Sequence, residues 1–412
     1  MNVFILCAGI SIAGIILYLL QVGATYSLIR KKKGDGQTAI EEMTYSPPVS
    51  ILKPLKGLDD NLFDNLASFC NQNYRSYEIL FCLQDFNDPA YKVAKKVQDK
   101  FPGRNISLVV EKCTIGLNPK VNNLIPAYRK ASHPYVLISD SNVMVDENYL
   151  RELMRHTADP SVGLVSNLIR GIGGRSLGAI FENLHLNSFI ISSVSFLDRF
   201  LGMPCVIGKS MLMKKVDLEA LGGLAAFKNI LAEDFIIGRE MQRSGKKVVL
   251  SNYVVSNVNE YWGVKRFLNR HTRWGKLRWK IGGVKYLSEL LANPVFVATL
   301  PVLFRGPSRE TLSFAASVGL VKVLGDYLIG RAIDTSPGTT YNHKQSSLIY
   351  LLSPIKDILI GILWFVPLLS STVVWRGNRY LIGQDSRLSP CPETGVWSWG
   401  YRITDSIRAR VA

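Results

Sequence analysis

Residues Met1 to Ile29 contain no charged side chain, and Arg30-Lys31-Lys32-Lys33 follows at once. An uncharged stretch of that length crosses a hydrocarbon core as a helix, with some tilt. A cleaved signal peptide is the competing reading, but it wants a basic start, and this chain starts Met-Asn-Val-Phe. Residues 1–29 are therefore expected to be a transmembrane anchor. Basic clusters stay on the cytoplasmic side, which places residue 30 onward in the cytoplasm. The formal net charge is +17, with basic residues beside apolar segments at 30–33 and 265–280. That pattern suits an anionic bilayer as partner and does not suit nucleic acid, which calls for one aromatic-studded basic stripe. The six cysteines form no C-x-x-C pair, in keeping with a reduced compartment.

Beyond a basic juxtamembrane tether at 30–48, the pattern becomes α/β. Ile79-Leu80-Phe81-Cys82-Leu83 and Tyr135-Val136-Leu137-Ile138-Ser139 are continuously apolar, as buried parallel strands are. With further strands at 49–52 and 107–110 and helices at about 60–72, 88–100 and 120–131, the alternation predicts a mostly parallel sheet flanked by helices. The catalytic unit is expected over 49–258. Within it, 176–197 carries only Glu182 as a charge and reads as a helix on or in the membrane surface, with a buried helix or a short membrane dip as the alternatives. An amphipathic interfacial segment follows at 259–285, membrane helices at 286–375, and a polar tail at 376–412. The last two apolar segments carry Lys322, Asp326, Lys356 and Asp357, so each is expected to be bent, paired in a bundle or partly interfacial.

Open α/β sheets bind ligands at the carboxyl ends of their strands, where Asp85 and Asp140 fall. Asp85 can accept hydrogen bonds from a nucleobase or ribose; it could also cap the next helix, although Asn87 and Asp88 are better placed. In Gly116-Leu117-Asn118-Pro119-Lys120, Asn118 reads as a helix cap and Lys120 as either solvated or a phosphate partner. Asp140-Ser141-Asn142 is a D-x-D pattern with its second Asp replaced, which still suits an ion that keeps several waters; helix capping is the alternative. Glu233-Asp234 lies within apolar sequence, where burial raises a carboxyl toward the pKa a general base needs; capping is again the alternative. Arg270, Arg273 and Trp274 share one helical face, fit for a diphosphate and a lipid, or simply for the membrane interface.

Taken in order, these motifs resemble the membrane-bound glycosyltransferases of the GT-A fold, whose signature is D, D-x-D, D and (Q/R)-x-x-R-W. Ser50-Ile51-Leu52-Lys53-Pro54-Leu55-Lys56-Gly57-Leu58-Asp59, the stretch from Gly116 and Ala232-Glu233-Asp234 are similar to the ceramide glucosyltransferase family, with its bacterial lipid and hopanoid relatives. The resemblance implies inverting transfer of a hexose, foremost glucose, from a UDP-sugar to a membrane lipid hydroxyl, foremost ceramide. Hopanoid or diacylglycerol acceptors, or UDP-N-acetylglucosamine as donor, are the alternatives. A processive polysaccharide synthase shares the signature, and a non-catalytic scaffold would not need it. By resemblance Asp85 contacts uridine, Asp140 and Asn142 hold Mg²⁺ or Mn²⁺ and Asp234 is the catalytic base. Asn118, Lys120, Glu233, Arg270, Arg273 and Trp274 complete the substrate site.

Overall fold

The computed structural model describes residues 3–30, 45–336, 338, 346–375 and 377–391. Lys31 to Lys33, most of the tether and the end of the tail lie outside the described residues. The first strands are β1 (Val49–Pro54), β2 (Tyr77–Leu83), β3 (Ile106–Val110), β4 (Tyr135–Ile138) and β5 (Val143–Met144). After them come β6 (Val162–Ile172), β7 (Met211–Lys214) and β8 (Lys247–Val258). These eight form one sheet in the order β3-β2-β1-β4-β7-β6-β8-β5. β1 runs parallel to β2 and β4, β2 to β3, and β6 to β8, whereas β7 is antiparallel to both its neighbours.

The continuous apolar runs follow from burial on both faces. Ile79 and Phe81 of β2 face a core with Phe69 and Ala94, while Leu80 and Cys82 face a second core with Val121 and Met241. Period-two alternation therefore sends every other side chain to a different but equally dry layer. Helices Leu62–Cys70 and Pro89–Lys100 cover the first face; Pro119–Lys130 and Glu233–Arg243 cover the second. The two readings of Asp85 and Asp88 separate here. Asp88 caps the helix at Pro89 by accepting from Ala90 N at 3.0 Å, and it also holds Gly57 N at 2.8 Å.

Among the described residues, Val3–Ile29, Arg309–Asp334 and Ser347–Leu369 are long and apolar enough to cross a membrane. A fourth span arises if Val264–Leu290 and Pro294–Arg305, bent by 61°, count as one. The anchor helix crosses the others closely: a Cβ at Gly14 would stand 2.4 Å from the Leu291 carbonyl oxygen. Small residues permit such approach where apolar packing alone supplies no driving force. The charges among these helices pair internally. Lys322 bonds Asp326 at 2.5 Å, Tyr18 donates to Asp326 at 2.7 Å, and Lys356 bonds Asp357 at 2.7 Å and Ser188 at 3.0 Å. Asp326→Leu leaves the buried Lys322 short of its nearest counter-charge, so it should lower stability by about 3 kcal/mol. An unchanged melting temperature in detergent would show that the pair contributes nothing.

The segment with Glu182 as its one acidic residue is packed against the rest of the protein over most of its length. It forms helix Leu177–His185, a π turn over Leu186–Ile190 and helix Ile191–Leu201, wedged between β6, the anchor and the helix Val264–Gly282. Glu182 is fully buried because two cationic-type partners from that last helix meet it, as described next.

Candidate active site

Asp140 leaves the end of β4 into a cluster of lysines. Lys120 Nζ lies 2.9 Å from Asp140 Oδ1, and Lys209 Nζ lies 3.0 Å from Oδ2. Lys53, within β1, donates to the Asp140 carbonyl at 2.7 Å with its ammonium 3.7 Å over the Phe69 ring. Burial pushes the Asp140 carboxyl up, but the Lys120 and Lys209 charges override it and hold the group well below the usual carboxylate range. Lys209 also donates to Asn142 Oδ1 at 2.7 Å. Asp140 Oδ2 and Asn142 Oδ1 thus converge on one cationic point, the Lys209 ammonium. Among the described residues no three His, Cys, Asp or Glu side chains come together as metal ligands. A divalent ion here would depend on these two oxygens together with diphosphate oxygens and water, a normal arrangement for Mg²⁺.

Lys120 joins this cluster to the acidic pair. Its ammonium lies 3.0 Å from Glu233 Oε1, so Lys120 is held between two carboxylates and is not a solvated surface lysine. Asn118 caps the helix Pro119–Lys130, accepting from Lys120 N at 2.8 Å and Val121 N at 3.0 Å. Its amide also donates to Glu233 Oε2 at 3.0 Å. Asn118 is fully buried, so it orients Lys120 and Glu233 from beneath. Asp234, in the first turn of the helix Glu233–Arg243, accepts from Gly208 N at 2.7 Å and Phe235 N at 2.8 Å. Burial and then the Glu233 charge raise its carboxyl to about 6, against the pull of Lys120. A Cβ at Gly208 would stand 2.6 Å from Lys120 Nζ and 3.0 Å from Asp234 Oδ2, so any larger residue would push the Lys120 ammonium out of this place.

A clamp from far along the chain fixes the start of this helix. A second sheet, β9 (Thr372–Trp375), β10 (Asn378–Ile382) and β11 (Leu388–Pro390), packs on Leu231. Leu231 N donates to Ser386 O at 2.9 Å and Ala232 N to Ser386 Oγ at 3.1 Å. Asp385 and Ser386 adopt left-handed φ of 52° and 57°. Two such residues in succession are costly, and they persist because the turn supplies acceptors to backbone donors leading into the Asp234 helix.

The helix Val264–Gly282 carries the basic-aromatic box. Arg270 Nε lies 3.2 Å from Glu182 Oε1, and His271 Nε2 lies 2.9 Å from Glu182 Oε2. Burial alone would raise Glu182, but the Arg270 charge and His271 draw it down to about 2. The Arg270 guanidinium also lies 4.4 Å over the Trp274 ring, and Arg273 lies 5.9 Å over Trp375. Arg266 sits 4.0 Å from Asp59, which accepts from Ser141, so the box is tied to the Asp140 loop. Asp85 stands apart. It is exposed, accepts from Asn87 N at 2.8 Å, and follows β2, two strands from Asp140 and so about 10 Å across the sheet.

A family model described as Glycosyl transferase family 21 matches residues 13–388. The chain belongs to this family. It is similar to "Ceramide glucosyltransferase 3" of Caenorhabditis elegans, 29% identical over 392 residues, 91% of this chain and 80% of that protein. "Ceramide glucosyltransferase 1" of the same organism is 28% identical, covering 95% of this chain and 79% of its own length. Among solved structures, a mannosyltransferase from Pyrobaculum calidifontis in complex with GDP-Man and Mn²⁺ aligns at 15% identity and a TM-score of 0.47. That alignment covers 86% of this chain and 99% of that one. This family 21 glycosyltransferase combines a mostly parallel eight-stranded sheet flanked by helices with apolar helices at the N-terminus and in the C-terminal region.

Two lysines of the family 21 chain escaped sequence reasoning. Lys53 interrupts an otherwise apolar strand and is fully buried, and Lys209 follows Gly208 in a loop with no periodic signal. A charged residue inside a buried run was the available clue for Lys53. Glu182 carried the same clue, as the one acidic residue in its apolar stretch, but its partners lie almost ninety residues away.

Proposed function

We propose that this chain transfers a hexose, foremost glucose, from a UDP-sugar to the hydroxyl of a ceramide-like membrane lipid, with inversion at the anomeric carbon. The observation that carries the reading is the acidic pair. Glu233 is held by Asn118 and Lys120, which leaves Asp234 as the carboxylate poised to take a proton. One available carboxylate, raised to about 6, suits a base in a single displacement and offers no second group for a covalent intermediate. The names of the C. elegans relatives support glucose and ceramide.

In this mechanism Asp234 accepts the proton of the lipid hydroxyl as that oxygen attacks the anomeric carbon. The Gly208 N–H keeps Asp234 Oδ2 oriented during the step. Asp140 and Asn142 would hold Mg²⁺ or Mn²⁺, which when bound supplies charge neutralisation to the departing diphosphate. Lys120 and Lys209 are displaced from Asp140 toward the phosphate oxygens, so positive charge stays in the site throughout. Arg270 and Arg273 border the same anion, Trp274 faces the lipid, and Asp85 receives the uridine at the outer strand end.

The test is a membrane assay that crosses UDP-glucose, UDP-galactose and UDP-N-acetylglucosamine with ceramide, diacylglycerol and hopanoid acceptors, read by mass spectrometry. Glucosylceramide is the expected main product. Product on another lipid alone would move the acceptor, and polymer without added lipid would replace the reading with polysaccharide synthesis.

A further inference from the structure

The π turn over Leu186–Ile190 interrupts two α-helices directly after His185. Such turns persist chiefly where they re-aim side chains at a functional position. Phe189 of this turn and His185, the last residue of the helix before it, line a cavity between the catalytic unit, the box helix and the apolar helix Ser353–Leu363. The His185 ring stacks on Phe189 at 5.0 Å and meets the His271 ring edge at 4.3 Å. The cavity encloses about 30 Å³, with Tyr286 and Trp364 in its wall. That volume suits a single hydroxyl or amide group and is far too small for a hexose or nucleotide.

Its polar lining is unsatisfied. Among the described residues, His185, 1% exposed, has no hydrogen-bond partner for either ring nitrogen, and His271, 4% exposed, has none for Nδ1. Buried polar atoms seldom remain orphaned, because each forfeits the hydrogen bonds it made to water. Burial first, then the neighbouring His271, push His185 well below its ordinary pKa, so its imidazole is neutral. A neutral imidazole offers one donor and one acceptor. Charged residues around the cavity are already paired, Arg278 with Glu289 at 2.7 Å and Asp357 with Lys356 at 2.7 Å. The lining therefore selects an uncharged group that both accepts and donates.

We propose that this cavity receives the uncharged hydrogen-bonding group of the acceptor lipid that lies next to the reacting hydroxyl, and that His185 reads it. The proposal rests on the lipid-transfer reading above. It makes His185 a specificity residue of the acceptor side, outside the donor and proton-transfer machinery.

The test uses the full-length protein in nanodiscs. His185→Phe keeps the ring stack and removes both nitrogens, whereas His185→Gln restores a donor and an acceptor. The Phe variant should raise the KM for ceramide by about tenfold or more, the Gln variant should recover part of it, and the KM for UDP-sugar should not move. Ceramide offers an amide and a second hydroxyl, and diacylglycerol only ester carbonyls. A penalty confined to ceramide identifies the donating group, and an equal penalty on both identifies the carbonyl. Ceramide and diacylglycerol bearing a diazirine near the head group provide a readout without turnover, with labelling expected at 185–189. An unchanged acceptor KM in His185→Phe without labelling there leaves a hydrated packing defect and overturns the proposal. A rise in donor and acceptor KM together with a lower melting temperature also overturns it, in favour of a packing role. If wild type glycosylates neither lipid, the lipid-transfer reading is what fails, and the labelling alone decides the cavity.

Discussion

Asp234→Asn should lower kcat by about 10²–10⁴-fold while the protein still binds UDP-sugar, because the amide keeps the shape and loses the proton acceptor. The pH profile gives the sign. A base works only when unprotonated, and burial with the adjacent Glu233 charge sets this carboxyl at about 6. Activity should therefore be level above that pH and fall about tenfold per unit below it, as the carboxylate becomes protonated. Glu233→Gln removes the second of the two raising influences, so it should shift the limb to lower pH. Calorimetric titration of UDP-sugar and stopped assays across pH 4 to 8 measure both effects. An Asp234→Asn protein with near-wild-type turnover, or a wild-type rate flat through the range, would sink the assignment.

Asp140→Asn should have the broadest effect on the site. Its carboxylate compensates Lys120 and Lys209, and its carbonyl takes Lys53, so three ammonium groups converge on one residue. Lys120 retains Glu233, but among the described residues Lys209 keeps only the neutral Asn142 within hydrogen-bond distance. Stability should drop by about 3 kcal/mol, the usual cost of stranding a buried charge. Turnover should fall by two orders of magnitude or more, since the site loses an oxygen proposed to face the metal. Thermal unfolding and UDP-sugar titration with and without Mn²⁺ separate these. Lys209→Met in the same background should return part of the stability and none of the activity. Unchanged stability and donor affinity in Asp140→Asn would remove it from the donor site.

Much of this architecture was legible because its signals are local. Strand ends at Leu83 and Ile138, the cap at Asn118 and the apolar setting of Glu233-Asp234 all depend on a few neighbouring residues. β7 was not legible: four residues whose antiparallel pairing with β4 and β6 comes from chain topology rather than from any turn signal. The Ser386 clamp was hidden for the same reason. A short polar stretch reads as a tail until its hydrogen bonds to Leu231 and Ala232 are seen.

By itself the sequence determined the uncharged N-terminal helix, the α/β order and the acidic and basic-aromatic motifs that mark a family 21 glycosyltransferase. Periodicity and composition act over one or two turns of chain, so they survive in a linear reading. Tertiary structure alone decided which charges meet. It placed Lys53, Lys120 and Lys209 around Asp140, buried Glu182 between Arg270 and His271, and left the His185 nitrogens without partners. Electrostatic pairing acts through space over a few ångströms, and the chain brings those ångströms together from positions up to 89 residues apart.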